Sequence, residues 1–420
     1  MTLAIWLHRV RAIREGKRRK STARRLRLGI FEDRTMPSTF IITSTGDNGG
    51  VNPSPGAGTG TLRQAIVDAD AVGTGTGANP DLIAFNIPTT DPGYNSTTGA
   101  FTIQPLSALP TVSDTVVIDG FTQPGSAPNT LPNQGPGAGD NAMRNIIVDG
   151  SLLSGSCNLG LYSTPDQARA ALDAAAAAAP NGLVVAGGNS KVTGLVAQNW
   201  RSDFIAYNFN PYTGSYSSWQ IAIGGTGIDL VSNANTVAGV YVANAGPGIL
   251  VDNAANNAIG GTAPGARNVI DGSSALTIQG AGATGNRVQG SYIGLDGTHV
   301  LNSDGGINIV NASDNVIGGA APGAGNVIVS GNTGIWIEGD SNSTPASGNV
   351  VQGNYIGTNP AGDACLLPAG VRGGVILLGY ENNTTIGGVD TNTPGAPLAG
   401  GGNLISGWRT QVNLDWTGPF

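Results

Sequence analysis

Charged residues, histidine and long apolar runs are all scarce in this sequence. Only 11% of the 420 residues are charged, and no stretch reaches the roughly 18 consecutive apolar residues that a membrane-spanning helix needs. We therefore expect no transmembrane segment. The two histidines, His8 and His299, are far apart in the chain, so a zinc site or a histidine-dependent hydrolase is disfavoured.

Charge is divided unevenly along the chain. Residues 1–34 contain 11 of the 20 Lys and Arg residues and three acidic ones, a net charge of +8, whereas the remaining 386 residues contain nine basic and 24 acidic side chains, a net charge of −15. An acidic surface does not attract the phosphate backbone, so the sequence argues against a nucleic-acid groove on the body of the protein.

Glycine is the residue present in excess. The chain holds 67 Gly, while 40% of its residues are hydrophobic, which is ample for a core. We therefore assign the glycine to tight corners and close backbone stacking rather than to disorder.

A short strand pattern recurs from residue 227 onward. Its second and fourth positions are aliphatic in every copy and its third varies, which indicates a strand with one buried face. Successive copies begin 21 to 40 residues apart, and no helical pattern fills the gaps, so like strands are predicted to stack in parallel as coils of a solenoid. The copies are GIDL at Gly227, GILV at Gly248, ALTI at Ala275, GINI at Gly306, GIWI at Gly334 and GVIL at Gly374.

Asparagine marks the corners between strands. Eight Asn residues each stand two positions before an aliphatic residue, as in Asn326-Val327-Ile328. Asn tolerates the left-handed conformation of a sharp corner, and stacked Asn side chains can form a hydrogen-bonded ladder. The eight are Asn235, Asn257, Asn268, Asn286, Asn315, Asn326, Asn349 and Asn403.

Longer blocks repeat as well. NNAIGGTAPGARNVI from Asn256 matches DNVIGGAAPGAGNVI from Asp314, and GNRVQGSYIGLD from Gly285 matches GNVVQGNYIGTN from Gly348. These blocks resemble right-handed parallel β-helix repeat proteins of the bacterial surface and secreted type. The opening TFIITSTGD, GTLRQAI and VVIDGFTQPG segments resemble the amino-terminal part of the same group.

The resemblance covers Thr39 to Trp408. It implies an all-β fold, a right-handed parallel β-helix with an N-terminal cap. It also implies export, surface display or adhesion, and in some members polysaccharide cleavage. In such a stack only neighbouring coils meet, so no disulfide is expected between Cys157 and Cys365, and cysteine usage leaves the compartment undecided.

Three regions are predicted along the chain. Residues 1–38 form a basic targeting segment, residues 39–150 the cap and first coils, and residues 151–420 the β-helix. A capping box of Thr61 and Gln64 predicts a cap helix. Within the β-helix, insertions are predicted at 164–180, as an Ala-rich helix, and at 200–220.

The basic segment lacks the long apolar centre of a conventional signal peptide. Its Phe31-Glu32-Asp33-Arg34-Thr35 stretch resembles the amino-terminal tag of exported proteins in planctomycete-like bacteria. We therefore expect an extracellular or cell-surface protein with an unconventional export signal. The alternatives are a disordered basic arm, and a patch around Lys17 to Lys20 that binds nucleic acid or a membrane surface.

The second insertion concentrates aromatic residues, which stack on sugars and anchor interfaces. It is the first candidate for recognising a polysaccharide or a cell-envelope component, and the alternative is that the rings pack on the wall of the solenoid. The binding candidates are Trp200, Tyr207, Tyr212, Tyr216 and Trp219.

Outward strand positions offer three acids, Asp229, Asp252 and Glu338. Asp229 and Asp252 lie on adjacent coils and are the candidate acids of a catalytic pair, although no basic residue accompanies them in the pattern. Gly224 to Leu230 also fits one copy of a calcium-binding nonapeptide, which gives a weak calcium prediction at Asp229. No other cofactor is expected.

Two functions follow from these patterns. The first is a non-enzymatic exported β-helix protein that presents a repetitive face for adhesion or polysaccharide binding. The alternative is a polysaccharide lyase or glycoside hydrolase on the same fold, with Asp229 and Asp252 as its acids.

Overall fold

The computed structural model describes residues 37–153, 157–161, 179–210, 215–297, 299–301, 305–341, 343–367, 373–380, 382–388, 400–407 and 410–415. For strands 157–161, 201–210 and 215–224, and for residues 378, 410, 411 and 413–415, the description is of the backbone only. The basic segment up to residue 36 and the Ala-rich helix predicted at 164–180, apart from its last two residues, lie outside the described residues. Both stay predictions.

Most of the described chain forms three long sheets of short strands. Sheet 1 contains Thr39–Ile42, Asp81–Phe85, Val116–Asp119, Lys191–Thr193, Thr236–Ala238, Ala258–Gly260, Arg287–Gln289, Val316–Gly318, Val350–Gln352 and Thr385–Ile386. Sheet 2 contains Tyr94–Asn95, Ala100–Ile103, Ile146–Asp149, Leu195–Gln198, Tyr241–Ala243, Val269–Ile270, Tyr292–Ile293, Val327–Ile328, Tyr355–Ile356 and Leu404–Ile405. Sheet 3 contains Leu183–Val185, Ile228–Leu230, Pro247–Asp252, Ser274–Gln279, Gly305–Val310, Thr333–Gly339, Gly373–Gly379 and Thr410–Asp415.

From residue 183 onward the chain visits sheets 3, 1 and 2 in turn, and each such circuit is one coil. Neighbouring strands within a sheet are parallel and stay in register, so Ile228 pairs with Ile249 and Ile249 with Leu276. The predicted parallel stacking of like strands is confirmed, and the architecture is solenoid-like. Within the three sheets the one antiparallel described pair is Tyr94–Asn95 with Ala100–Ile103.

The core lies between the three sheets. The second and fourth positions of the repeated strand are buried in every copy, from Ile228 and Leu230 to Val375 and Leu377, as alternation predicts. Burying one such aliphatic side chain contributes about 1.5–3 kcal/mol. Residues from all three sheets belong to one continuous hydrophobic cluster.

Two asparagine ladders run along the corners. At the start of the sheet 1 strands, each backbone amide donates to the side-chain oxygen one coil further on, at 2.8 to 3.0 Å, through Ser190, Asn235, Asn257, Asn286, Asn315 and Asn349. A second ladder precedes the sheet 2 strands, with Asn268, Asn326, Asn354 and Asn403 as acceptors at 3.0 to 3.1 Å. The predicted ladder is therefore present, with serine in some positions.

The left-handed residue of the corner is not the ladder asparagine. In sheet 1 it is the residue before it, with φ between 58° and 68° at Asn189, Ala234, Asn256, Gly285, Asp314 and Gly348. The corner thus divides two tasks that the sequence pattern assigned to one residue. One residue turns the backbone, and the next ties the coil to its neighbour.

The cap contains the one α-helix of the described residues, Leu62–Val72. Short 3-10 turns lie at Asn48–Gly50, Gly120–Thr122 and Gly150–Leu152, and one more lies in a later coil at Pro264–Ala266. Thr61 caps the helix by accepting from the Gln64 amide at 3.1 Å, as predicted. The reciprocal half of the capping box is replaced, because the Gln64 side chain donates to Ser54 and Asp68. Leu62 and Ile66 are buried against the first strands.

Arg63, on the same helix, is a buried cation that is only 1% exposed. Its Nε and Nη2 pair with the two carboxylate oxygens of Asp47 at 2.8 and 2.9 Å. The remaining hydrogens go to Asn52 and to the carbonyls of Ser107 and Ala108, each at 2.9 Å. Arg63 therefore joins the helix to two loops of the cap.

A long loop, residues 124–145, leaves the cap and runs along the stack before returning; we call it the axial loop. Its outward and returning arms meet at a bridge between Ala127 and Met143. The axial loop forms hydrogen bonds with successively more distant coils. The side-chain amides of Asn129, Asn133 and Gln134 donate to the backbone carbonyls of Pro264, Gly323 and Gly353, respectively. The axial loop thus joins coils that are remote in sequence.

Candidate functional site

The outer face of sheet 3 carries the varied positions of the repeat. Register aligns its third positions as one column, Val184, Asp229, Leu250, Thr277, Asn308, Trp336, Ile376 and Asn413. A second column contains Asp252, Gln279, Val310, Glu338, Leu378 and Asp415. All the ionisable residues in these two columns are acidic.

Asp229 and Asp252 lie on adjacent coils of this face, as the sequence predicted. Asp229 pairs in register with Leu250, two residues before Asp252. Asn181 Nδ2 donates to Asp229 Oδ2 at 2.8 Å, and Gln279 Nε2 donates to Asp252 Oδ1 at 3.2 Å. Each carboxylate is therefore held by an amide rather than by a cation.

The environment of Asp229 favours its neutral form. The residue is only 7% exposed, and its Oδ1 is buried with no hydrogen-bond partner among the described residues. Burial, reinforced by the negative charge of Asp252, raises the pKa of Asp229 to about 6, and the bond from Asn181 opposes the shift. A carboxyl group with this pKa can exchange a proton near neutral pH.

A shallow groove lies further along the same face. Its volume is about 290 Å³, and Trp336 and Glu338 line it on one coil while Asn308 and Val310 line it on the coil before. Ser273, Gly305, Asn332 and Thr333 complete its lining. An aromatic ring among amide, hydroxyl and carboxylate groups is a lining that suits an amphipathic, hydroxyl-rich ligand.

Hydrogen bonds fix the side chains of the groove. The Trp336 indole Nε1 donates to Glu338 Oε2 at 2.9 Å, because residues two apart on a strand share a face. Asn308 Nδ2 donates to Ser274 Oγ at 2.9 Å, and this hydroxyl lies 2.9 Å from Thr277 Oγ1. The groove is therefore largely preorganised.

The aromatic candidates of the second insertion are placed differently. Trp200 is 2% exposed and belongs to the hydrophobic core, where glycines at 150 and 182 make room for its indole. A Cβ on Gly150 would lie 2.6 Å from Trp200 Cδ2. Trp200 thus follows the packing alternative and presents no exposed ring for a ligand.

The other candidates belong to a hairpin. Strands Arg201–Asn210 and Ser215–Gly224 pair antiparallel and join Cys157–Leu161 in a separate three-stranded sheet. Tyr207 pairs with Ser218, and Trp219 with Ala206. Tyr216 pairs with Phe209, and Tyr212 lies outside the described residues. Binding by these residues stays a prediction.

The described residues contain no group of three His, Cys, Asp or Glu side chains placed to hold a metal ion. Asp252 is the acid next to Asp229, and the Asn181 side-chain amide donates to Oδ2 of Asp229. Calcium prefers six to eight oxygen ligands, more than this pair supplies. The weak calcium prediction at Asp229 gains no support from this donor set.

Trp336 is the site residue that the sequence reasoning missed. The GIWI copy contained it, but the third position varies so widely that a single Trp carried no special weight. The usable signal was Trp336 followed two residues later by Glu338, since that spacing places both on the outward face of a strand.

The sequence matches none of the protein-family models with which it was compared, and no curated protein is similar enough to count as a relative. Among the described residues, no helix is both long and apolar enough to cross a membrane.

Proposed function

We propose that this protein binds polysaccharide on the outer face of sheet 3 and acts in adhesion or attachment rather than catalysis. The observation that carries the proposal is the groove in which half-buried Trp336 lies beside Glu338, Asn308 and Thr333. An indole stacks on the apolar face of a sugar ring, and the neighbouring carboxylate and amide groups bond its hydroxyls.

The shape of the face suits a chain rather than a single sugar. Sheet 3 has eight strands, and neighbouring strands lie about 4.8 Å apart, so the face extends for roughly 34 Å along the stack. A polysaccharide lying along this direction would contact several coils at once. Repeated weak contacts of this kind raise avidity.

Glycan-array binding of the full chain tests the proposal. We expect retention of at least one polysaccharide, loss of that retention in Trp336→Ala, and partial retention in Trp336→Phe, which keeps a stacking ring. The Tyr212→Ala, Trp219→Ala double variant tests the hairpin instead. Retention lost only in the double variant would move the site away from sheet 3, and absence of retention on every glycan would refute binding.

Catalysis at Asp229 and Asp252 is the second candidate, because an acid with a pKa of about 6 lies beside a second carboxylate. It is tested by incubating the retained polysaccharide with the protein and measuring chain shortening. Release of oligosaccharides that stops in Asp229→Asn or Asp252→Asn would replace the binding proposal with hydrolysis or elimination.

We further propose that the coils wind right-handed and that the chain is exported. Parallel strands joined by crossovers are right-handed in nearly all proteins, which supports the handedness. The resemblance to surface and secreted repeat proteins and the basic segment before residue 35 support export. Cell fractionation with an antibody against the full chain tests the localisation.

A further inference from the structure

The charged side chains that the structure describes around the groove are acidic. Glu338 lines it, and Asp252 and Asp229 lie on the same face of sheet 3. The basic side chains that the structure describes lie elsewhere. Arg63 is in the cap, Arg144 and Arg267 are at the axial loop, and Lys191 and Arg287 are on sheet 1. A ligand with carboxylate or sulfate groups would meet repulsion from these acids, and the basic side chains that the structure describes would not offset it.

The acid nearest the stacking ring is held in place. Glu338 accepts from the Trp336 indole at 2.9 Å through one oxygen, which fixes the carboxylate beside the ring. A sugar stacked on Trp336 therefore has a substituent within reach of a negative charge. The face of an indole itself attracts cations through its quadrupole, so ring and carboxylate favour the same ligand charge.

We propose that this groove selects polysaccharides whose sugars carry free, protonated amino groups. The proposal rests on the polysaccharide-binding function proposed above and names the class of ligand. Trp336 stacks on the sugar, Glu338 pairs with its ammonium group, and Asn308 bonds its hydroxyls. Metal bridging of an anionic glycan would be the competing arrangement, but the described residues lack a metal-ligand cluster.

The test uses the full chain and four soluble oligomers of matched length: glucosamine, N-acetylglucosamine, galacturonate and lysine. Binding is measured by calorimetry at a pH at which the amines are protonated, with and without a chelator. We expect the glucosamine oligomer to bind about tenfold or more tightly than its acetylated counterpart, as one charge-assisted bond per site provides. The preference should weaken with added salt, and galacturonate should not bind.

Two variants separate the contributions. Glu338→Gln should remove the preference for the amino oligomer while leaving binding of the acetylated oligomer unchanged, and Trp336→Ala should remove both. Asp363→Asn removes a charge from an exposed acid that follows sheet 2 strand Tyr355–Ile356 and does not line the groove, and it should change neither.

The outcomes are distinguishable. Equal, Trp336-dependent binding of both glucosamine forms would overturn the amino-group inference and leave polysaccharide binding intact. If the galacturonate oligomer binds more tightly than the glucosamine oligomer, with or without chelator, the amino-group inference is likewise overturned and polysaccharide binding remains. Binding of oligolysine as tight as that of oligoglucosamine would show mere attraction to an acidic protein and overturn the inference. Binding of no glycan would overturn both proposals.

Discussion

Asn286 donates both its backbone amide and its side-chain amide to Oδ1 of Asn315, each at 3.0 Å. Asn315 in turn donates its backbone amide to Oδ1 of Asn349 at 3.0 Å. All three residues are fully buried, so each bond replaces one that water would otherwise make. The ladder therefore fixes the register of successive coils at the corner where the chain turns.

Asn315→Ala should lower the free energy of unfolding by about 3 kcal/mol. The substitution leaves the buried Asn286 amide and the Ala283 carbonyl without partners, and each unsatisfied buried group costs about 1–3 kcal/mol. Chemical denaturation measures the loss. Asn382→Ala, at an exposed position, is the matched control and should change stability by less than about 0.5 kcal/mol. Equal losses of unfolding free energy in the two variants would show that the ladder does not stabilise the fold.

Arg63→Met should destabilise the cap by about 3–5 kcal/mol, because it leaves the buried Asp47 carboxylate without its cation. Arg63→Lys should not restore stability, since an ammonium group cannot form the bidentate pair. Thermal unfolding of the variants, with the exposed Arg287→Ala as control, measures both effects. Wild-type stability in Arg63→Lys would show that only the charge matters.

Much of the fold could be predicted because the repeat is local. Period-two alternation places Ile249 and Val251 inside and Leu250 outside without knowledge of any other coil, and the same pattern recurs six times. The ladder followed from Asn residues at equivalent positions. Asn354 was missed although it also stands two positions before an aliphatic residue, Ile356. Ser190 and Ser291 were missed because serine occupies their ladder positions.

The path of the axial loop could not be predicted. Gln134 bonds Gly353, 219 residues away, and no periodicity links two such positions. The groove was missed for a related reason. Its residues come from three successive coils, and only the register shows that Asn308 lies beside Trp336. Asp229 and Asp252 were found because their shared face follows from the strand pattern alone.

Removing the axial-loop contacts should loosen the later coils and leave the cap unchanged. In Asn133→Ala, Gln134→Ala the bonds to Gly323, Asn326 and Gly353 and the bond from the Arg267 guanidinium to Asn133 are lost. We expect a loss of about 4–6 kcal/mol, because each neutral bond contributes about one kcal/mol and the bond from the charged group contributes more. Hydrogen exchange should rise around residues 320–360 and not around 81–103. Asn141→Ala, whose side chain bonds only Thr130 in the same loop, is the control. Uniform exchange along the chain would contradict local anchoring.

Stability should also depend on the charge of Asp229. Burial and the neighbouring Asp252 raise its pKa to about 6 in the folded protein, against about 3.9 in the unfolded chain. The folded state therefore holds the extra proton between these values. Stability is lost as pH rises from about 4 to about 6, and the ionised form costs up to about 3 kcal/mol above that range.

Asp229→Asn should remove this dependence and stabilise the protein at pH 8, because an amide keeps the bond from Asn181 without a charge. The difference between the two unfolding curves across pH is the quantity to measure, since acids such as Asp149 act in the opposite sense. Burial alone would raise the pKa of Asp149, but bonds from Gln198, Ser151 and Asn199 lower it, so its contribution is lost as pH falls. That contribution is common to both proteins and cancels in the difference. If this difference does not grow between about pH 4 and pH 6, Asp229 is ionised in the folded protein without a cost in stability. Its pKa would then not be raised, and proton exchange on this face would lose its support.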